Sequence, residues 1–278
     1  MRADDVAAAD LVAFEALWGM VPRPGETLEA RARRGQSRIA HLLETDPGGA
    51  WVAESGGRVV GTALALVRDA LWGLSLFAVE PVLQGNGVGR QLLDAALGYA
   101  DGARGALILS STDPKAMRRY ARAGFALRPA VAAAGIVDRA ALPARHPEIR
   151  AATGDDLGAT EAVSRAVRGA THAPDLPNAL AGGYELLVLG DRGFVLHRGG
   201  APGLLAARDE ETAQALLWAA LGASAPGATV HVDFMSAGQD WAVAVALEAG
   251  LALSPDGPIF VRGEVGPLRP YLPSGAWL

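Results

Sequence analysis

The 278-residue sequence contains no cysteine, and Lys115 is its single lysine, every other basic residue being arginine. Without thiols, disulfide bonds, thiolate metal sites and a cysteine nucleophile are all excluded. Blocks of basic residues are missing too: 25 Lys and Arg stand against 30 Asp and Glu, a net charge of −5. A mildly acidic chain of this kind has no electrostatic footprint for nucleic acid or for an anionic membrane, so neither is expected as a partner. No uninterrupted apolar run approaches the roughly 20 residues of a membrane span, and Glu248 breaks the best candidate. The five histidines, His41, His146, His172, His197 and His231, show no ligand spacing, and no metal is expected. The opening Met1-Arg2-Ala3-Asp4-Asp5 is acidic, unlike a secretory signal, which points to the cytoplasm. Arginine in place of lysine, with heavy Ala and Gly usage, reads as a GC-rich, bacterial genome.

What is present is the balance of a globular protein: half of the residues are hydrophobic and a fifth are charged. The length favours two domains. Periodicity in the first half reads helix, helix, strand pair, strand, helix, strand, helix, strand. Residues 50–54 and 58–67 form a hairpin across Ser55-Gly56-Gly57, and a third strand runs from Leu74 to Val79. Val88, Leu92, Leu93, Ala96, Leu97 and Ala100 trace an apolar helical stripe. Asp113-Pro114 opens a further helix, because Asp suits the N-cap and Pro the first turn.

The second half reads as a worn copy of the first. Ala123-Gly124-Phe125 has a counterpart in Ala249-Gly250-Leu251, an offset of 250 − 124 = 126, and Leu92-Leu93 matches Leu216-Leu217 at 216 − 92 = 124. The chain accordingly divides into a first domain over 1–139, a linker over 140–147 and a second, degenerate domain over 148–278 with an irregular aromatic tail.

The informative segment is Phe77-Ala78-Val79-Glu80-Pro81-Val82-Leu83-Gln84-Gly85-Asn86-Gly87-Val88-Gly89-Arg90. A strand that ends just before a helix leaves unpaired backbone N–H groups facing one concavity, aided by the helix dipole. Glycines at 85, 87 and 89 let a diphosphate approach without a Cβ in the way. A dinucleotide fingerprint spaces its glycines differently, and no Gly-Lys-Ser/Thr follows for a Walker loop. The segment resembles the acetyl-CoA signature of the GNAT superfamily of N-acetyltransferases: an apolar strand, V-x-P, then Q/R-x-x-G-x-G/A. Asp113-Pro114-Lys115-Ala116-Met117-Arg118-Arg119-Tyr120-Ala121-Arg122-Ala123-Gly124-Phe125 resembles the family's N-x-x-A-x-x-x-Y-x-x-x-G-F segment, with Asp113 where Asn is usual.

The resemblance implies two tandem GNAT-like α/β domains, each a mixed, mostly antiparallel sheet flanked by helices. It implies acetyl-CoA as cosubstrate and direct attack by an amine of a small molecule or peptide on the thioester. Phe77, Ala78 and Val79 would pair with the pantetheine arm, and Gln84, Gly85, Asn86, Gly87, Val88, Gly89 and Arg90 would hold the diphosphate. Asp113 is a further cofactor contact or a plain N-cap, and Tyr120 would protonate the departing sulfur. No general base is assigned. Glu80 and Asp69 read as solvated turn residues, a water relay is the default, and the terminal carboxylate of Leu278 is a further candidate. Against that, the tail reads more simply as packed on the surface of the second domain. A non-catalytic acyl-CoA-binding sensor is the alternative function. In the second half, Asp209, Glu211 and Ala213 fall where the glycines stood and Ala246 where Tyr120 stood, so that half is expected not to bind CoA. A monomer with pseudo-dimeric tandem domains, or a homodimer, is expected. Arg31, Arg33, Arg34 and Arg38 read as a solvated helix face, loops around residues 18–38 and in the second domain as those that define the acceptor site, and His172, Asp175 and Trp241, within reach of a cleft between the domains, more simply as surface or core residues.

Overall fold

A computed structural model describes residues 1–19 and 26–278, so residues 20–25 of the expected acceptor region lie outside the described residues. The chain packs as two compact units, Met1–Ala106 and Leu107–Leu278.

The first unit opens with α1 (Val6–Trp18) and α2 (Leu28–Thr45), followed by β1 (Ala50–Ser55), β2 (Arg58–Arg68), β3 (Leu71–Val79) and α3 (Val88–Gly98). Gly56 and Gly57 take positive φ, 58° and 74°, and turn β1 back on β2 as their sequence predicts. The next connection is equally tight but has no glycine: Asp69 and Ala70 carry φ of 45° and 60°. β3 therefore begins at Leu71, three residues earlier than the expected Leu74. Antiparallel pairing runs Ala50↔Leu64 between β1 and β2 and Thr62↔Ala78 between β2 and β3. Leu92, Leu93 and Ala96 of α3 are buried, and Gly61 of β2 lets Leu92 approach, since a Cβ there would meet Leu92 Cδ1 at 2.8 Å. The indole N–H of Trp72, itself fully buried, donates to Ala96 O at 3.0 Å and ties α3 to β3.

β4 (Gly105–Leu109) crosses into the second unit. There follow α4 (Pro114–Arg122), β5 (Ala126–Arg128), β6 (Ala130–Ile136), β7 (Ile149–Ala151), α5 (Leu157–Val167), α6 (Leu176–Ala181), β8 (Glu185–Leu189), β9 (Gly193–Arg198) and β10 (Ala201–Ala207). α7 (Glu210–Gly222), β11 (Thr229–Ser236), α8 (Asp240–Glu248), β12 (Ala252–Pro255), β13 (Ile259–Gly263) and β14 (Tyr271–Leu272) complete it. β8, β9 and β10 repeat the meander of β1, β2 and β3, and α7 follows as α3 does. The repeat extends to main-chain hydrogen bonds. Phe125 N donates to Tyr120 O at 3.2 Å and Leu251 N to Ala246 O at 2.9 Å, closing α4 and α8 over Gly124 and Gly250 at φ of 84° and 81°. Both pairs of residues are 126 apart, so the matched glycines are matched helix ends, each the left-handed residue that lets the last carbonyls find donors.

Each sequence half places one late strand, β6 or β13, among strands of the other. β6 lies between β11 and β12, and β13 lies between β4 and β5. Strand pairing thus runs across residues 140–147: Ala133 of β6 stands opposite Val232 of β11 and Leu253 of β12. The compact units divide at Ala106 and Leu107, a boundary that the repeat in the sequence does not mark. A buried cluster including Leu187, Val195, Leu205, Leu216, Leu217 and Val232 forms the core beneath β8–β10.

Candidate acyl-CoA site

β3 delivers the candidate turn. Ala78 and Val79 are buried and Phe77 half-buried, and the ladder to β2 continues one residue further through Glu80 N to Val60 O at 3.0 Å. Pro81 opens a single 3₁₀ turn, Pro81–Leu83, which reverses the chain. Gln84, expected among the phosphate donors, here turns its side chain inward: Nε2 donates to Val79 O at 3.2 Å and closes the turn on the strand end. Gly85 and Gly87 then take φ of 90° and 89°. A Cβ at either would meet nothing within 4 Å, so the glycines serve backbone conformation and leave open space in front of the turn. Gly87 is the N-cap of α3, and its carbonyl accepts from Arg90 N at 3.0 Å and Gln91 N at 3.2 Å. Val88 and Gly89 open the helix, where an N–H has no carbonyl four residues back to bond. These amides and the positive end of the α3 dipole face the same way, an arrangement that can receive an anion. Asn86 and Arg90 are exposed beside it, Val88 is half-buried and Gly89 buried.

In the second unit, Asp113 caps α4, its Oδ1 accepting from Lys115 N at 2.9 Å, which gives the N-cap role its geometry. Tyr120 is 4 % exposed and meets Phe260 of β13 edge to face, with ring centroids 5.4 Å apart. Burial drives the phenol's pKa well above its ordinary value, so it holds its proton through the working pH range.

Three expectations need correction. Glu80 is not a solvated turn residue: it is 6 % exposed, and both of its carboxylate oxygens accept from Arg58, one of them at 3.0 Å. Asp69, by contrast, is exposed in its turn. The arginines of α2 are not one solvated face. Arg31 is buried on Asp10 at 2.6 Å, Arg34 holds Glu26 at 2.9 Å, and Arg38 reaches Ser75 of β3, whereas Arg33 alone has a largely exposed side chain. The C-terminal tail is not a surface layer. Tyr271 and Leu272 form β14 against Ala206 and Leu205 of β10, and Trp277 and Leu278 are buried. The Leu278 main-chain oxygen accepts from Tyr271 Oη at 2.7 Å and lies 2.8 Å from His172 Nε2. His172, Asp175 and Trp241 are all core residues, at most 3 % exposed.

The counterpart of the turn in the second half has been removed rather than altered. Eight residues, Glu80–Gly87, separate β3 from α3, but only Arg208 and Asp209 separate β10 from α7. Asp209 caps α7, accepting from Thr212 N at 2.8 Å, and Glu210 and Glu211 fill the first turn. The helix start that would receive a phosphate carries carboxylates instead.

Sequence reasoning missed Ser75 and its contact with Arg38. The segment Leu71–Val79 is apolar apart from Ser75, and a lone serine in a strand gives no sign that it is an extra residue there.

The sheet, the glycine turn and the repeated order of elements define an α/β protein of two compact units with a glycine turn at one helix start. Residues 14–125, under half of the chain, match the model of the acetyltransferase (GNAT) family. No curated protein matches the sequence. Among solved structures, a candidate acetyltransferase from Pyrococcus horikoshii is similar over 100 % of this chain and 93 % of its own, with a TM-score of 0.80 at 15 % identity. A tandem GNAT protein from the clavulanic acid biosynthesis pathway is similar over 95 % and 97 %, with a TM-score of 0.58 at 16 % identity. A GCN5-related N-acetyltransferase from Sphaerobacter thermophilus is similar over 99 % and 96 %, at 0.57 and 17 %. At these identities the likeness is one of fold.

Proposed function

We propose that the protein transfers the acetyl group of acetyl-CoA to an amine of a small molecule or peptide, using one site in its first half. The observation that carries this reading is the turn at 84–90, where left-handed Gly85 and Gly87 open the start of α3 to an anion. The diphosphate of acetyl-CoA rests on the amides of Val88 and Gly89, and the pantetheine arm pairs with the end of β3 at Phe77–Val79. The amine nitrogen attacks the thioester carbon, the carbon–sulfur bond breaks, and the Tyr120 phenol donates to the departing sulfur. The proton lost by the amine leaves through water. Glu80 is not its acceptor, because Arg58 already engages both carboxylate oxygens.

Release of CoA thiol from acetyl-CoA with a panel of amines tests the transfer. Tyr120→Phe should lower kcat by roughly a hundredfold, the scale of a lost general acid, and leave acetyl-CoA affinity within about twofold. An unchanged kcat would remove the phenol from the mechanism. Tight acetyl-CoA binding without turnover on any amine would favour a sensor over an enzyme.

A further inference from the structure

Between β2 and β3 the pairing passes from Leu64↔Leu76 to Ala65↔Leu74. Ser75 is therefore an extra residue in β3, a bulge that drops one peptide out of the ladder and bends the strand just before Phe77. The residue is 6 % exposed, so its displaced carbonyl needs a donor other than water. Arg38 of α2 supplies one. Its Nη2 donates to Ser75 O and, at 2.7 Å, to Ser75 Oγ, while Nε reaches the same hydroxyl at 3.2 Å. A planar guanidinium makes these contacts together, and a single ammonium lacks the fork to do so.

We propose that Arg38 is a positioning residue for acyl transfer: by holding the bulge at Ser75 it sets the direction and register of Leu76–Val79, and hence the placement of the thioester. The inference rests on the reading of β3 as the strand that pairs with pantetheine. Its physical basis is the two-residue period of a strand. If the bulge relaxes, the chain beyond it shifts by one residue, and side chains that face one side of the sheet turn to the other. The diphosphate turn lies beyond Pro81 and runs into α3, whose buried Leu92, Leu93 and Ala96 anchor that helix start apart from the bulge. Loss of Arg38 therefore misplaces the thioester without removing the anion site.

The test compares Arg38→Ala and Arg38→Lys with the full-length wild type. Arg38→Ala should lower kcat roughly tenfold or more, the scale of a misplaced reacting group, while the Kd for free CoA, which lacks the acetyl group, stays within about twofold. Arg38→Lys should fall between the two, and added guanidinium should restore part of the Arg38→Ala rate. Amide hydrogen exchange should quicken at Leu76–Val79 in Arg38→Ala and remain unchanged in α3. A kcat equal to wild type, or a fall in kcat matched by an equal loss of CoA affinity, overturns the proposal. Should the wild type bind no CoA, the acyltransferase reading fails by itself. Exchange at Leu76–Val79 then decides the structural role: unchanged protection in Arg38→Ala means that Arg38 does not hold the bulge.

Discussion

Gly87 has to do two things, adopt a φ of 89° and leave the space in front of α3 open. An alanine there would strain the backbone by about 1 kcal/mol, because its Cβ crowds the carbonyl in the left-handed region. It would also place a methyl where the diphosphate is proposed to rest. No atom lies within 4 Å of that Cβ, so packing adds nothing to the cost. Gly87→Ala is therefore expected to weaken acetyl-CoA binding by roughly tenfold, with a drop in stability of only about 1 kcal/mol. Titration calorimetry and a denaturant melt on the same preparation separate the two effects, and an affinity equal to wild type would discount this turn. The glycines were legible because their role is local. Arg31, Arg34 and Arg38 were legible only in part. Their intervals of three and seven put them on one helical face, but their partners, Asp10, Glu26 and Ser75, stand elsewhere in the chain. Nothing within a helical turn tells a buried arginine from a solvated one.

The contrast between α3 and α7 shows how an element start can be turned from binding to structure. α3 begins at a glycine with no side-chain cap. α7 begins at Asp209, whose carboxylate satisfies the amide of Thr212. Partial burial raises the pKa of Asp209, but the bonds from Thr212 and Arg192 outweigh it and hold the group below its ordinary value. The depressed pKa means that the cap contributes fully above the unfolded carboxylate range and is lost as pH falls from there through the lower folded value. Asp209→Ala should cost about 1 kcal/mol of stability at neutral pH, and less at acid pH, where the carboxylate is already protonated. Acetyl-CoA affinity should not change. A variant as stable as wild type at pH 7 would mean that the cap contributes nothing. The Arg192–Asp209 pair adds little to this, being two-fifths exposed on both sides at 3.2 Å. The capping acids, the Asp113 cap and the glycine ends of α4 and α8 were all readable, since a cap depends on residues within one turn of itself.

Across the whole chain, β6 and β13 each lie among strands of the other sequence half, and in the second half the strand edge that corresponds to the proposed site is covered. β14 pairs with Leu205 and Ala206 on the edge of β10 that does not face β9, and Ala207 N donates to Pro270 O at 3.3 Å. On the proposed reading, the equivalent end of β3 receives pantetheine. With this edge covered and the glycine turn absent, one acetyl-CoA should bind per chain. Calorimetric titration reads that number directly, and two sites per chain would contradict the reading of the second half.

By itself the sequence determined the parts whose causes lie within a few residues: the glycine turn, the helix caps, the first hairpin and the repeat that makes one half an image of the other. Tertiary structure alone decided which strand lies beside which, that an arginine of α2 secures a bulge in β3, and that the tail runs as a buried strand along β10. The reason is physical. Backbone dihedrals and caps answer to neighbours along the chain, whereas a buried carbonyl or a strand edge must be satisfied by whatever residue the closed fold brings to it, at any distance in sequence.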